Sequence, residues 1–277
     1  MKRIIIILIT AAFAVSGVQA QSALKKGFNN FKSLIVQHEK PTGVHDTWDL
    51  YAGLKVGING SRFMGANGKF KPGFYVGATV ETFFHPQWGI DFEIGYSHQG
   101  AKGISAVTNS HSTFRTALER EEGAEHITIY HDCTRDSHTT GTYDVNLDYL
   151  NTTYLIRWYP KRHLPLSVYT GVHVYRIIHS SMHLRGERTQ TVSDLVDGTS
   201  TTDTYAVDAK EKINDDLHRG DVAIPLGVSY EVGQWQFDAR YNFSFRHLAK
   251  SNRMKQILGN GTNSLVMLSA AYRIHFF

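Results

Sequence analysis

The stretch Trp235-Gln236-Phe237-Asp238-Ala239-Arg240-Tyr241-Asn242-Phe243-Ser244-Phe245-Arg246 decides the architecture. Its odd-numbered positions are apolar and its even-numbered ones polar or charged. A period of two held over that length describes a strand between two unlike environments. Trp88 to Ser97 repeats the pattern, with Ile90, Phe92, Ile94 and Tyr96 beside Trp88 and with Asp91, Glu93, Gly95 and Ser97 opposite. Asp221 to Glu231 repeats it again. Weaker versions occupy Trp48 to Asn59, Phe74 to Phe84, Tyr149 to Tyr159, Leu166 to Ile177 and Ser264 to Phe277. Eight strands result, an even number, as bacterial membrane barrels require.

The connections sort by length. Those at 84–88, 159–164 and 231–235 are tight, while 60–71, 100–142, 179–220 and 247–262 are long. One end of the barrel thus has turns and the other has loops. Trp48, Trp88, Trp158 and Trp235 all fall at the turn end on the apolar face, as does Phe276 at the end of the last strand. Tryptophan is enriched where hydrocarbon meets head groups, because an apolar ring there carries an N–H that needs a polar partner. Outer-membrane barrels keep their short turns in the periplasm. These five aromatics are therefore expected to form a periplasmic girdle, with Phe74, Tyr96 and Phe245 marking the outer rim.

A soluble eight-stranded barrel of the lipocalin kind also alternates, with its apolar face inside. Three features favour the membrane version: the common level of the tryptophans, the aromatic chain end, and the glycines 53, 57, 77, 95, 171 and 227 on the polar face. A narrow filled interior needs such glycines; a solvent surface does not. An arginine facing lipid near the midplane would cost about 2 to 4 kcal/mol, so the polar faces point inward. The interior is then expected to hold Asp49, Lys55, Glu81, Asp91, Glu93, Arg157, Asp238, Arg240, Arg273 and His275, with both signs in similar number. Eight strands leave a lumen just wide enough for side chains. A paired polar network is expected there rather than a pore, and its role is structural.

The N-terminus carries Lys2 and Arg3, an apolar run from Ile4 to Val15, and small residues up to Ala20. That reads as a secretory signal peptide, residues 1–20, cleaved between Ala20 and Gln21. Residues 21–47 form either a periplasmic linker or an amphipathic helix, since Leu24, Phe28, Phe31 and Ile35 recur at helical spacing; 48–277 form the barrel. No later apolar run reaches the roughly 20 residues that a spanning helix needs. The single cysteine, Cys133, excludes an intrachain disulfide, and a net charge of +4 that falls when the leader is removed gives no nucleic-acid reading.

Short motifs carry a family likeness. Tyr51-Ala-Gly-Leu-Lys-Val-Gly-Ile-Asn59, Lys71-Pro-Gly-Phe-Tyr-Val-Gly77 and Ile94-Gly-Tyr-Ser-His-Gln-Gly-Ala-Lys-Gly103, with Tyr169-Thr-Gly171, Ala239-Arg-Tyr241 and Tyr272-Arg273, resemble the PorT-like outer membrane β-barrel family. The resemblance implies an eight-stranded barrel of OmpA or OmpX shape in the outer membrane of a Gram-negative bacterium, usually without assigned ligand. The two longest loops are larger and richer in histidine than the family leads one to expect.

His126, His131, Cys133 and His138 offer metal-ligand chemistry in one of those loops, but their spacing matches no zinc framework, and no metal or cofactor is assigned. His111-Ser112 and Glu119 to Glu122 lack the context of a hydrolytic motif, and no G-x-S-x-G elbow occurs, so an enzyme is not expected. The expected fold class is all-β: an eight-stranded antiparallel up-and-down transmembrane barrel with a short N-terminal amphipathic helix or linker. The expected function is structural or surface-interaction display through long external loops, with two protruding loop or hairpin extensions. The alternatives are a narrow channel or small-solute transporter and, less favoured, a lipid-modifying enzyme. The expected partners are outer-membrane lipid, the barrel-insertion machinery through the C-terminal strand, and an unknown extracellular partner.

Overall fold

The computed structural model describes residues 42–122, 125–161 and 163–276, without the side chains of 118–122, 125–127 and 129. The expected signal peptide, its cleavage site at Ala20 and Gln21, the helix or linker at 21–41, and Phe277 lie outside the described residues. So do the side chains of Glu119 to Glu122 and of His126.

The described residues form nine strands and one helix: β1 (Leu50–Met64), β2 (Lys69–His85), β3 (Trp88–Glu122), β4 (Glu125–Trp158), β5 (Leu166–Asp194), β6 (Ser200–Lys212), β7 (Gly220–Val232), β8 (Trp235–His247), α1 (Asn252–Leu258) and β9 (Thr262–His275). All pairings are antiparallel. Strands β1 to β5 pair in sequence, β5 also pairs with β7, and β7 to β9 follow until β9 closes on β1. The ring therefore has eight strands and no free edge, while β6 pairs with β5 outside it. No helix among the described residues is long and apolar enough to cross a membrane.

Alternation sets the two faces. On β8, Gln236, Asp238, Arg240 and Asn242 are buried, while Trp235, Phe237, Ala239 and Phe243 point out and are exposed. Interior glycines make room for tyrosines. A Cβ on Gly77 or Gly95 would lie 2.5 or 2.6 Å from the Tyr75 hydroxyl, and one on Gly227 would lie 2.4 Å from the Tyr169 ring. Such rings fill a narrow lumen only because these positions carry no side chain.

Three of the expected long connections are mostly strand: 60–71 continues β1 and β2, and 100–142 and 179–220 are hairpins, one of the two forms expected for them. β3 and β4 stay paired from Trp88↔Trp158 to Glu122↔Glu125, and β5 and β6 from Ser181↔Lys212 to Ser193↔Ser200. The four strands β3-β4-β5-β6 make one arm that rises from one side of the barrel. From Ile104 to Glu122 the β3 strand adds about 60 Å of extended chain at about 3.3 Å per residue. The turn after β5 ends at Thr199, and β6 begins at Ser200.

The fourth long connection, 247–262, contains α1. Ser251 caps it, accepting a hydrogen bond from the Met254 amide at 3.2 Å. Met254, Ile257 and Leu258 point into an apolar cluster with Phe63, Ile104, Tyr143, Val145, Met182, Leu217 and Leu248. This cluster lies inside the barrel at the end from which the arm rises. The Asn109 amide donates to Gln256 Oε1 at 3.0 Å, and Arg253 pairs with Glu211 of β6, so α1 ties the two outer strands of the arm together at its base.

Candidate functional site

Two regions concentrate polar chemistry: the lumen and the arm. Of the ten residues expected in the lumen, Asp49, Lys55, Glu81, Asp91, Glu93, Arg157, Asp238, Arg240 and Arg273 are at most 4 % exposed, and His275 is partly buried. Lys55 Nζ lies 2.7 Å from Glu93 Oε1 and 2.6 Å from Asp238 Oδ2. Arg240 clasps Glu93 with two nitrogens at 2.7 Å each, the bidentate geometry that a planar guanidinium allows. Arg157 reaches Asp91 at 2.8 Å and Asp238 at 3.2 Å, and its guanidinium stacks 4.4 Å from the Tyr169 ring centre. Charge is nearly balanced, and each ion has a partner of opposite sign, the condition for holding ions away from water.

Nearer the turn end Arg273 pairs with Glu81 and, at 2.7 Å, with Glu231, which also accepts from the Tyr159 hydroxyl at 2.7 Å. His45 lies 3.1 Å from Glu231 and stacks on Phe83 with ring centres 3.9 Å apart. Sequence reasoning missed both Glu231 and His45. Glu231 was within reach, since it shares the polar parity of its strand. His45 precedes the first strand, in the segment read as linker, and nothing local marks it as part of the barrel's base.

The expected girdle residues sit at the turn end, and all four tryptophans are exposed. Trp88 and Trp158 oppose one another across β3 and β4 with stacked rings 6.1 Å apart, and Trp235 meets Tyr272 edge-on at 5.2 Å. Trp48 departs from the expectation: strand β1 begins at Leu50, and Trp48 stands outside it with φ at 76° and no strand parity. Phe276 likewise follows β9 and is partly exposed, its amide donating to the Leu50 carbonyl at 2.9 Å. From Trp235 to Phe245 the outward apolar residues of β8 span about 33 Å along the strand. That is about 25 Å of height at a tilt of about 40°, the height of an outer-membrane apolar band.

On the arm, histidines and acids meet across strands. His111 lies 2.5 Å from Asp136, His183 2.5 Å from Asp208, and Arg115 2.7 Å from Asp132. Threonines pair in rows, Thr189 with Thr204 and Thr191 with Thr202, each at 3.0 Å. Several carboxyls here sit below the usual aspartate range. Hydrogen bonding by Arg115 lowers Asp132, hydrogen bonding by His183 lowers Asp208, and the Val196 amide lowers Asp194.

The loop histidines weighed as a metal group do not assemble as a set. His131 and Cys133 are buried on one face, whereas His138 is exposed on the other, 2.7 Å from Asn109. His131 instead meets Asp194 and Asp197, residues more than sixty positions later that only the β4–β5 pairing brings close. His111 and Ser112 are neighbours in an exposed strand and point to opposite faces, so they form no dyad.

The family model described as an outer membrane protein beta-barrel domain matches residues 48–250. Among solved structures the chain is similar to Ail, the attachment invasion locus protein of Yersinia pestis, with 14% identity over 83% of this chain and 100% of that one and a TM-score of 0.34. It is also similar to Neisserial surface protein A (11% identity, 82% and 97% covered, TM-score 0.33). A third similar structure is the translocator domain of the autotransporter NalP from Neisseria meningitidis (11%, 92% and 97%, TM-score 0.27). No curated protein matches it. With the family model spanning well over half its length, the chain belongs to the outer membrane protein β-barrel domain family.

Proposed function

We propose that this outer-membrane barrel is a non-enzymatic display scaffold, exported by its 1–20 leader and inserted with β9 as the strand offered to the insertion machinery. The turns and N-terminus face the periplasm, the arm stands outside the cell, and the apolar band faces lipid. The motifs around Tyr51 to Gly103 support placing it with the PorT-like barrels. The arm carries the functional reading: eleven of the thirteen residues of β6 are exposed, and the strand pairs only with β5. An open strand edge of that length is a template for an extracellular partner that adds a strand, with main-chain hydrogen bonds supplying affinity.

The experiment shortens the arm at a paired position. His183 faces Lys210, so replacing residues 184–209 with an Asn-Gly turn removes most of β6 and leaves the barrel ring whole. Cells displaying the full and shortened proteins are compared for adhesion to immobilised matrix proteins and for self-aggregation. Adhesion that needs the arm is expected; equal behaviour of the two strains, at equal surface amounts, overturns the display role.

A further inference from the structure

His131 lies two residues beyond Cys133, which forms the terminal β4–β5 pair with Asp194, so its ring faces the turn that joins β5 to β6. That turn is tightly held. Asp194 Oδ1 accepts from the Val196 amide at 2.8 Å and the Asp197 amide at 3.3 Å, and the Leu195 amide donates to the Asp132 carbonyl at 2.9 Å. These bonds occupy one oxygen of Asp194 and leave Oδ2 aimed at the imidazole. His131 Nδ1 is 2.5 Å from that oxygen and 3.6 Å from Asp197 Oδ2, and all three atoms lie within 4.8 Å of one another.

One ring nitrogen can donate a single hydrogen bond, yet two carboxylates converge on it. The His131 side chain is also only 7 % exposed, whereas that of His111 on the same arm is 61 % exposed. A nearly buried nitrogen facing two carboxylate oxygens is a donor set for a first-row divalent cation. Zinc bonds of about 2.1 Å to nitrogen and oxygen put tetrahedral ligand atoms about 3.4 Å apart. The spacing here brackets that value, and the exposed Asp197 side chain is free to close on the ion. The backbone amides on Asp194 Oδ1 supply the outer-shell support that orients a ligating carboxylate.

We propose that His131, Asp194 and Asp197 bind a divalent transition cation, with solvent as its fourth ligand, and that the ion pins the β5–β6 turn to β4. The three ligands come from two hairpins of the arm, so the ion adds a cross-link between elements already joined by β4–β5 pairing. With one nitrogen and few oxygens, the site favours Zn²⁺ over Ca²⁺, which takes six to eight oxygen ligands.

The test titrates Zn²⁺ into the metal-stripped, full-length protein in detergent micelles by calorimetry, beside Asp197→Asn, His131→Gln and the control His138→Gln. One Zn²⁺ phase is expected in the wild type and the control, weakened at least tenfold in Asp197→Asn and absent in His131→Gln. Zn²⁺ is also expected to slow proteolysis of the wild-type arm and not of Asp197→Asn, with Ca²⁺ having no effect on either. Asp197 is exposed, so its variant folds even if that of His131 does not. Superimposable Zn²⁺ curves for wild type and Asp197→Asn, or no saturable phase in the wild type, overturn the site. Because the readout is metal binding and arm proteolysis, its failure leaves the adhesion comparison untouched.

Discussion

At the scale of single residues, the lumen is where parity and charge together sufficed. Lys55, Glu93, Asp238 and Arg240 lie on three strands far apart in sequence, yet each could be placed inside because a charge on the opposite face would meet lipid. Which acid meets which base was not legible, since partner choice depends on stagger between strands. Glu93 is the centre of that network, bound by both Lys55 and Arg240. Glu93→Gln keeps the shape and removes the charge, leaving Arg240 facing a neutral amide and Lys55 dependent on Asp238. Breaking a buried pair from one side costs about 3 to 5 kcal/mol, because the remaining charge stays out of water. Urea unfolding in detergent, followed by heat-modifiable gel mobility, is expected to show a loss of that size. A change below about 1 kcal/mol would mean that water reaches the site and that the lumen is not filled as described.

At the scale of elements, the strands within the apolar band were readable and their continuations were not. Period two appears only where a strand separates unlike surroundings. Above Ile104 the arm has polar residues on both faces, as in Thr108, Asn109, Ser110, His111 and Ser112, so the alternation that marks a strand is erased. Helix α1 had a signal that went unused: Ser251 as cap, then Met254, Ile257 and Leu258 at helical spacing. The arm holds together by backbone pairing and surface polar pairs, and this gives it a pH dependence separate from that of the barrel. Asp132, Asp194 and Asp208 are depressed by Arg115, by the Val196 amide and by His183 in that order. A carboxyl depressed in the folded state binds fewer protons there than when unfolded. Its contribution is therefore present above the unfolded value of about 3.9 and is lost as pH falls through the lower folded value. Hydrogen exchange, corrected for intrinsic rates, is expected to stay constant in arm peptides 182–212 from pH 7 to 5 and to rise below about pH 4. Exchange that stays flat down to pH 3 would show that these carboxyls do not hold the arm.

At the scale of the molecule, the pattern of connection lengths yielded the closed ring, because tight turns at one end leave few alternatives to an up-and-down meander. What the ring encloses follows from its size: with eight strands, side chains meet across the middle. Three layers then block the axis. At the turn end are His45, Phe83, Tyr159, Glu231 and Arg273; in the middle are Lys55, Asp91, Glu93, Arg157, Asp238 and Arg240; at the arm end is the apolar cluster under α1. An ion entering would have to shed its water in the apolar layer and then displace charges already bound to one another, and neither layer offers compensation. The barrel reconstituted in planar bilayers is therefore expected to give a flat current trace under conditions in which an open porin produces steps. Removing α1 by joining Lys250 to Gly259 is expected to leave it flat, since the charged layers remain. Steady single-channel steps from the wild type would restore the transporter reading. Steps only from the α1 deletion would show that the apolar layer is the sole seal and that the charged network beneath it admits water.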